Sequence, residues 1–414
     1  MQPDSAAATT LAELLVPTPA PTAPAAYPAP IWPFYDEDQI AAVAEVLRSG
    51  CVNAWTGPDV GRFETTFADY VGSPHAIALA NGSVSLTVAL DALELEPGDE
   101  VIVTPRSFVI SASAVILAGG RPVFADVDPD TQNITPATIA PLITERTVGI
   151  IPVHLAGWPC DMAGIMALAR RHKLWVVEDC AQAHGARIGG RHVGTFGHFG
   201  SFSFCQDKIM TTGGEGGMLV TNDAALWRRA WSRKDHGKDY DLVHAKDHPP
   251  GFRWLHAHPG SNLRMSGPAA ALGTIQVSRM ADWHSRRARS AAILARAFLD
   301  CPALRVPMPR RDETHAWYRF YAFVRPDRLR PGWSRDRILS EIARRGETAF
   351  SGSCPEIYNE QVFRQRGFAP GRPLPTAAEL GRTSLAFRVD PTLDDAAMER
   401  TAKVVCEVMA SATA

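Results

Sequence analysis

An amine that reacts at neutral pH has six candidates in this 414-residue chain: Lys173, Lys208, Lys234, Lys238, Lys246 and Lys403, against 36 arginines. Arginine stays protonated and cannot take this role. Lys208 differs from the other five, which lie in polar, charge-rich stretches or on a helix face. It follows an apolar run with Phe202 and Phe204, precedes Ile209 and Met210, and stands just before a glycine-rich stretch through Gly217. A lysine with lowered pKa in a partly dry pocket suits Schiff-base chemistry with an aldehyde. The bland alternative is a lysine snorkelling off a strand end. Two other positions complement it. Asp179 closes the apolar run that starts at Leu174. It either caps the next segment or stands buried opposite a pyridinium nitrogen, keeping such a ring protonated and electron-withdrawing. Asn81-Gly82-Ser83 ends another apolar run and opens a helical pattern. There Gly82 permits close backbone approach, and Ser83 begins a helix whose free N–H groups favour phosphate. Ser83 as a plain N-cap is the competing reading.

Taken jointly, an amine, a carboxylate and an anion site match the aldehyde, ring nitrogen and phosphate of pyridoxal 5'-phosphate. Other chemistries lack their motifs. No G-x-G-x-x-G follows the first strand, and neither G-x-x-x-x-G-K-[ST] nor G-x-S-x-G occurs. The histidines include His244 with His248 and His256 with His258, but there is no H-E-x-x-H, so no metal site is expected. The stretch Asp235-His236-Gly237-Lys238 reads as a solvated turn.

These residues must be positioned by a scaffold. Seven apolar, β-rich runs occur at 75–80, 100–105, 121–127, 147–154, 174–179, 199–205 and 216–222, with helical patterns between several of them. Leu86, Leu90 and Leu93 make one such pattern; Met162, Ile165 and Leu168 make another. This alternation predicts an α/β fold with a seven-stranded, mostly parallel sheet covered on both faces. In such a sheet, ligands bind beyond the carboxyl ends of the strands, where Asn81, Asp179 and Lys208 would stand. Ile40, Val43, Val46 and Leu47 predict a helix from Asp36 that stops at Gly50. Residues 281–299 predict a long connecting helix. A strand at 318–324 and helices at 336–345 and 394–409 then make a smaller C-terminal α/β unit. The expected organisation is thus a flexible arm at 1–30 (seven prolines, nine alanines), a large domain at 31–280, and a connecting helix with small domain at 281–414.

Composition bounds the rest. Apolar residues make up 46%, and 42 basic against 44 acidic residues leave no field for a polyanion, so no nucleic-acid partner is expected. No apolar run is long enough for a membrane span. The first 47 residues hold no Lys or Arg, unlike the start of a secretory signal, and seven scattered cysteines without a C-x-x-C pair suit reduced thiols. A cytoplasmic location is expected.

From about Trp32 onward the chain resembles the DegT-type (StrS-like) sugar aminotransferases. These are fold-type-I pyridoxal-phosphate enzymes acting mainly on nucleotide-linked keto-sugars. The resemblance rests on Asn81-Gly82-Ser83, Pro105 to Phe108, Val153 to Gly157, Glu178 to Ala186, the spacing of Ser203 to Lys208, Gly214 to Gly217, and Gly260 to Arg264. It implies Lys208 as the residue that binds the cofactor aldehyde and moves protons, with Asp179 on the pyridine nitrogen. It implies Phe108 on the ring face and Gln182 near the ring hydroxyl. Gly82, Ser83 and Ser203 would hold the phosphate, and Asn262 would reach in from a second subunit of a homodimer. Trp158, His236 and Arg264 are the expected substrate contacts. Some relatives carry His in place of the lysine and dehydrate sugars; Lys208 argues against that branch.

The implied reaction carries an amino group from glutamate or glutamine, through pyridoxamine phosphate, to C3 or C4 of a nucleotide-linked keto-6-deoxy sugar. The segment 231–260 is rich in cations and aromatics that suit a diphosphate and a stacked base. Two stretches depart from the family pattern: 384–391 lacks the usual Leu-Pro-x-His, and 351–354 is unusual for a substrate-side loop. The start, Trp32 to Asp36, resembles the branch with cyclitol and aminobenzoate-forming members, so a ketocyclitol acceptor is the alternative. A pyridoxal-phosphate-binding regulator is a further one.

Overall fold

The computed structural model describes residues 32–413. The arm expected at 1–30 lies outside the described residues. All seven apolar runs contain strands, each a little shorter than its run. In chain order they are β1 (His75–Leu79), β2 (Glu100–Val103), β3 (Arg121–Phe124), β4 (Thr147–Ile151), β5 (Trp175–Asp179), then, after a short pair β6 (Arg187–Ile188) and β7 (Arg191–His192), β8 (Phe199–Ser203) and β9 (Gly217–Thr221). The large sheet runs β1-β9-β8-β5-β4-β2-β3. Its pairs are parallel except those made by β9, which is antiparallel to both β1 and β8. The central strands β5, β8 and β9 are almost wholly buried, as helices on both faces require, and so read as continuous apolar runs without alternation. Because β1, β5 and β8 point the same way, Leu79, Asp179 and Ser203 end at one edge of the sheet.

The first helix spans Glu37–Ser49 and ends on Gly50, whose φ of 70° is the left-handed cap that glycine adopts without strain. The long helix spans Gly267–Leu299, 33 residues, and starts fourteen positions earlier than residue 281. Gly267, Pro268 and Gly273 weaken the helical signal there, but packing requires the glycine at 273. A Cβ on Gly273 would stand 2.5 Å from Cζ of the buried Phe63. The boundary expected at 280/281 therefore falls inside one continuous helix.

Beyond it lie β10 (Leu304–Arg305), β11 (Glu313–Thr314), β12 (Phe320–Val324) and β13 (Ser384–Phe387). β10-β12-β13 form a three-stranded antiparallel sheet, while β11 returns to pair with β6. Helices Arg335–Arg344 and Asp395–Ala412 pack around this small sheet. Leu294 and Phe298 of the long helix join Phe320, Phe387 and Val405 in a core of their own. No helix among the described residues is long and apolar enough to cross a membrane.

Candidate active site

Asp179 is the last residue of β5, buried, and held in place by two donors. The Ser111 hydroxyl reaches Oδ2 at 2.8 Å and the Ala181 amide reaches Oδ1 at 3.1 Å. Burial pushes its carboxyl above the ordinary range, outweighing those hydrogen bonds and the nearby positive charge of Lys208. Such a group gains most from a cation placed against it, and a protonated pyridine nitrogen is one. Behind it, His154 and Glu178 form a buried pair at 3.1 Å. The His154 Nδ1 accepts from the Cys160 amide, while Glu178 accepts from the amides of Gly194, Phe196 and Gly197. With Cys180 these two could form a metal-ligand group by distance alone, but their hydrogen bonds tie β5 to the turns around it.

The anion end is built from β1, β8 and the reversed strand between them. Leu79 and Ser203 both stand opposite Gly217. A Cβ on Gly217 would fall 2.4 Å from the Asn81 carbonyl oxygen, and one on Gly82 would fall 2.5 Å from the Ser203 Cβ. Glycine at both positions lets the turn close onto Ser203. The helix that follows, Gly82–Ala92, is capped by Asn81, whose side chain accepts from the Val84 amide at 2.9 Å. Ser83 is therefore not the N-cap; it stands inside the first turn, beside free N–H groups that favour an anion.

Lys208 lies in the turn after β8. Its carbonyl accepts from the Trp32 indole at 2.7 Å, and its Nζ stands 3.2 Å from Asp207 Oδ1. The Tyr318 hydroxyl donates to the other Asp207 oxygen. Sequence reasoning expects a lowered lysine pKa here, and the structure reverses that. Burial alone would lower it, but Tyr318 and Asp207 outweigh burial and hold the ammonium above its usual range. Asp207, for its part, is held below the usual carboxylate range: burial opposes its charge, but Lys208, the Tyr318 hydroxyl and Arg319 prevail.

A cavity of about 790 Å³ opens in front of Lys208, lined on the large-sheet side by Phe108 and Gln182 and on the other by Tyr318, Arg319 and Tyr321. Gly352, Ser353 and Cys354, from the stretch that departs from the family pattern, complete that wall. Phe108 is 68% exposed, an apolar ring left open to the cavity. The Gln182 carbonyl accepts from the Ala156 amide at 2.8 Å, which leaves its NH₂ for a ligand.

Other expected residues stand elsewhere. Trp158, expected at the substrate mouth, is buried and donates its indole N–H to Glu313 at 3.0 Å. Arg264 donates to the buried Asp235 at 2.7 Å. His236 is exposed with a φ of 58° and lies outside the cavity lining. Asn262 is exposed too, bridged through its backbone to Asp235. The segment around them is no solvated turn. Asp235 is buried and faces Lys238 at 3.2 Å as well as Arg264. Buried Lys234 lies 4.0 Å from Asp235, and Arg233 pairs with Asp91 at 3.2 Å. Arg233, Lys234 and Lys238, expected to meet a diphosphate, are thus engaged within the chain, while Trp254 and His256 are exposed.

The residues that sequence reasoning passed over are Asp207, Ser111, Tyr318 and Arg319. Adjacency to Lys208 is a signal for the first. Nothing local marks the others.

An amine, a ring face and an amide on one cavity, with a buried carboxylate and a glycine-built anion turn at the same sheet edge, fit pyridoxal phosphate. Comparison with known proteins agrees. An aminotransferase from Psychrobacter cryohalolentis is 50% identical and superimposes with a TM-score of 0.91, covering 93% of this chain and 100% of that one. The spore coat polysaccharide biosynthesis protein SpsC of Bacillus subtilis is 31% identical over 380 residues, 92% of this chain and 96% of its own. DesI, solved in the presence of its TDP-sugar product, is 26% identical with a TM-score of 0.81, covering 93% of this chain and 94% of its own. Residues 33–406 match the DegT/DnrJ/EryC1/StrS aminotransferase family, and the chain belongs to that family as a sugar aminotransferase that works with pyridoxal 5'-phosphate.

Proposed function

We propose that this enzyme transfers an amino group from glutamate or glutamine to the ketone of a nucleotide-linked keto-6-deoxyhexose, at C3 or C4. The observation that carries the reading is the shared cavity of Lys208, Phe108 and Gln182, with Asp179 buried at the same edge. Pyridoxal phosphate supplies an aldehyde that takes amines covalently and a ring that withdraws electrons from the carbon beside the bound nitrogen. In this reading Asp179 keeps the ring nitrogen charged, Phe108 covers the ring face, and the Gln182 amide donates to the ring hydroxyl. Gly82, Ser83 and Ser203 hold the phosphate with the N-terminal turn of Gly82–Ala92. Lys208 Nζ takes a proton from the donor carbon and gives it to the carbon on the other side of the bound nitrogen, then runs the sequence in reverse for the acceptor. Exposed Asn262 is assigned to the phosphate of a partner subunit in a homodimer, and the location to the cytoplasm.

The acceptor side is formed by Arg319, Tyr321 and the stretch Gly352 to Cys354. With Arg233, Lys234 and Lys238 paired internally, the nucleotide must be read by this wall and by Trp254 and His256. If the diphosphate contributes binding energy, removing the nucleotide lowers kcat/KM about a hundredfold or more. Equal turnover of a free keto-sugar or a ketocyclitol overturns this acceptor. The internal pairing of those cations is the observation that keeps the ketocyclitol reading as the second one.

A further inference from the structure

Beside the reacting amine stands a carboxylate that the roles above leave unused. Asp207 Oδ1 is 3.2 Å from Lys208 Nζ. Its other oxygen is engaged by the Tyr318 hydroxyl, which arrives from 111 residues away just ahead of β12. Tyr318 is buried, and its ring centroid lies 5.4 Å from Nζ. All three residues line the same cavity. The hydrogen bond from Tyr318 fixes the Asp207 rotamer so that Oδ1 faces the amine and Oδ2 does not.

We propose that Asp207, oriented by Tyr318, is a positioning residue that holds the proton on Lys208 Nζ between the two carbon proton transfers. In the first half-reaction Lys208 accepts one proton from the donor carbon and becomes an ammonium, then gives that same proton to the carbon on the other side of the bound nitrogen; the second half-reaction moves a proton back the opposite way. Asp207 keeps its charge throughout, so the proton count changes on Nζ alone. An ammonium that would otherwise lose its proton to water in a half-dry cavity is retained by a carboxylate at contact distance and by the π-face of Tyr318.

The other groups that face Lys208 do not supply this. Asp179, at the end of β5, is assigned to the ring nitrogen, and it is Asp207 that pairs with Nζ. His184, in the turn after β5, is held neutral by burial. Cys205 opens the lysine's own turn, and Arg319 adds a positive charge near Asp207. Asp207 is thus the carboxylate in contact with Nζ, and its removal should lower the lysine's pKa.

The proposal rests on Lys208 being the reacting amine, and the test separates the two. The full chain is loaded with pyridoxamine phosphate, which leaves Lys208 as a free amine. Carbamylation of Lys208 by cyanate is then followed against pH by peptide mass. Asp207→Asn should lower the pH midpoint of Lys208 reactivity by about one unit or more, and Tyr318→Phe should lower it by less. Asp207→Glu, which keeps the charge, should restore much of the shift. The acidic limb of the pH profile of amino transfer should move with the midpoint. A Lys208 midpoint in Asp207→Asn within about 0.3 unit of the unaltered enzyme would falsify the role. Borohydride fixation of the cofactor to another lysine peptide would instead remove Lys208 from the reaction while leaving the titration result to stand alone.

Discussion

Lys208→Ala removes the amine that faces the cavity and nothing that packs the sheet. Amino transfer should fall by roughly a thousandfold or more. Borohydride should no longer fix the cofactor to the chain, while far-UV dichroism stays as it is. Retained fixation on the peptide that contains residue 208 would contradict the assignment. At this scale the residues readable in advance were those at strand ends. Lys208, Asp179 and Gly82 stand where apolar runs stop, and a run's end is a local property. What could not be read was who their neighbours would be. Ser111 meets Asp179 across 68 residues and Tyr318 meets Asp207 across 111. The same distance effect drew Trp158 and Arg264 away from their expected roles. Glu313 lies 155 residues beyond Trp158, and the buried Asp235 offers Arg264 a stronger partner than a solvent-facing ligand would. The direction of the Lys208 pKa turned on one such pair of contacts.

The strands were legible because a sheet covered on both faces needs unbroken apolar runs, and seven such runs stand out. The long helix was legible only over its second half, where no glycine interrupts the pattern. Its first half carries Gly273 for the sake of Phe63, whose ring packs within 5.3 Å of Phe204 and 6.1 Å of Phe67. The two opposing effects can be compared. Alanine in a helix interior is favoured over glycine by about 1 kcal/mol. Forcing a methyl into a filled ring cluster costs about 1–3 kcal/mol. Gly273→Ala should therefore lower the urea midpoint of the protein. With Phe63→Leu as background the clash is relieved, and the same alanine should become neutral or stabilising, a coupling that a double-mutant cycle reads directly. A stabilising Gly273→Ala in the unaltered chain would show that Phe63 yields its place easily.

Over the whole molecule, buried histidines set the response to acid. Burial pulls His192 and His315 down to about 3 and His284 to about 4, and holds His184 well below its ordinary value. These rings stay neutral in the folded protein, whereas in the unfolded chain they take up protons near pH 6.5. Their stabilisation is complete above that value and is lost as pH falls toward 4 and then 3. Glu64 and Asp179, which burial raises, act in the opposite sense as they protonate in the folded state first. Four histidines against two carboxyls leave stability falling between about pH 6.5 and 5. The slope is about 1.4 kcal/mol per pH unit for each proton of net difference. Urea unfolding at several pH values measures it, and a flat or rising stability toward acid would contradict the balance. The reversed strand has a separate consequence, for the order of events during synthesis. β1 lies at the edge of the large sheet and pairs only with β9, Leu79 opposite Gly217. Its partner is thus translated 138 residues later, a wait of roughly 7–28 s at about 5–20 residues per second. Through that interval the nascent chain carries an apolar strand with no mate, and the Asn81–Ser83 turn cannot close onto Gly217 before the ribosome has passed residue 221.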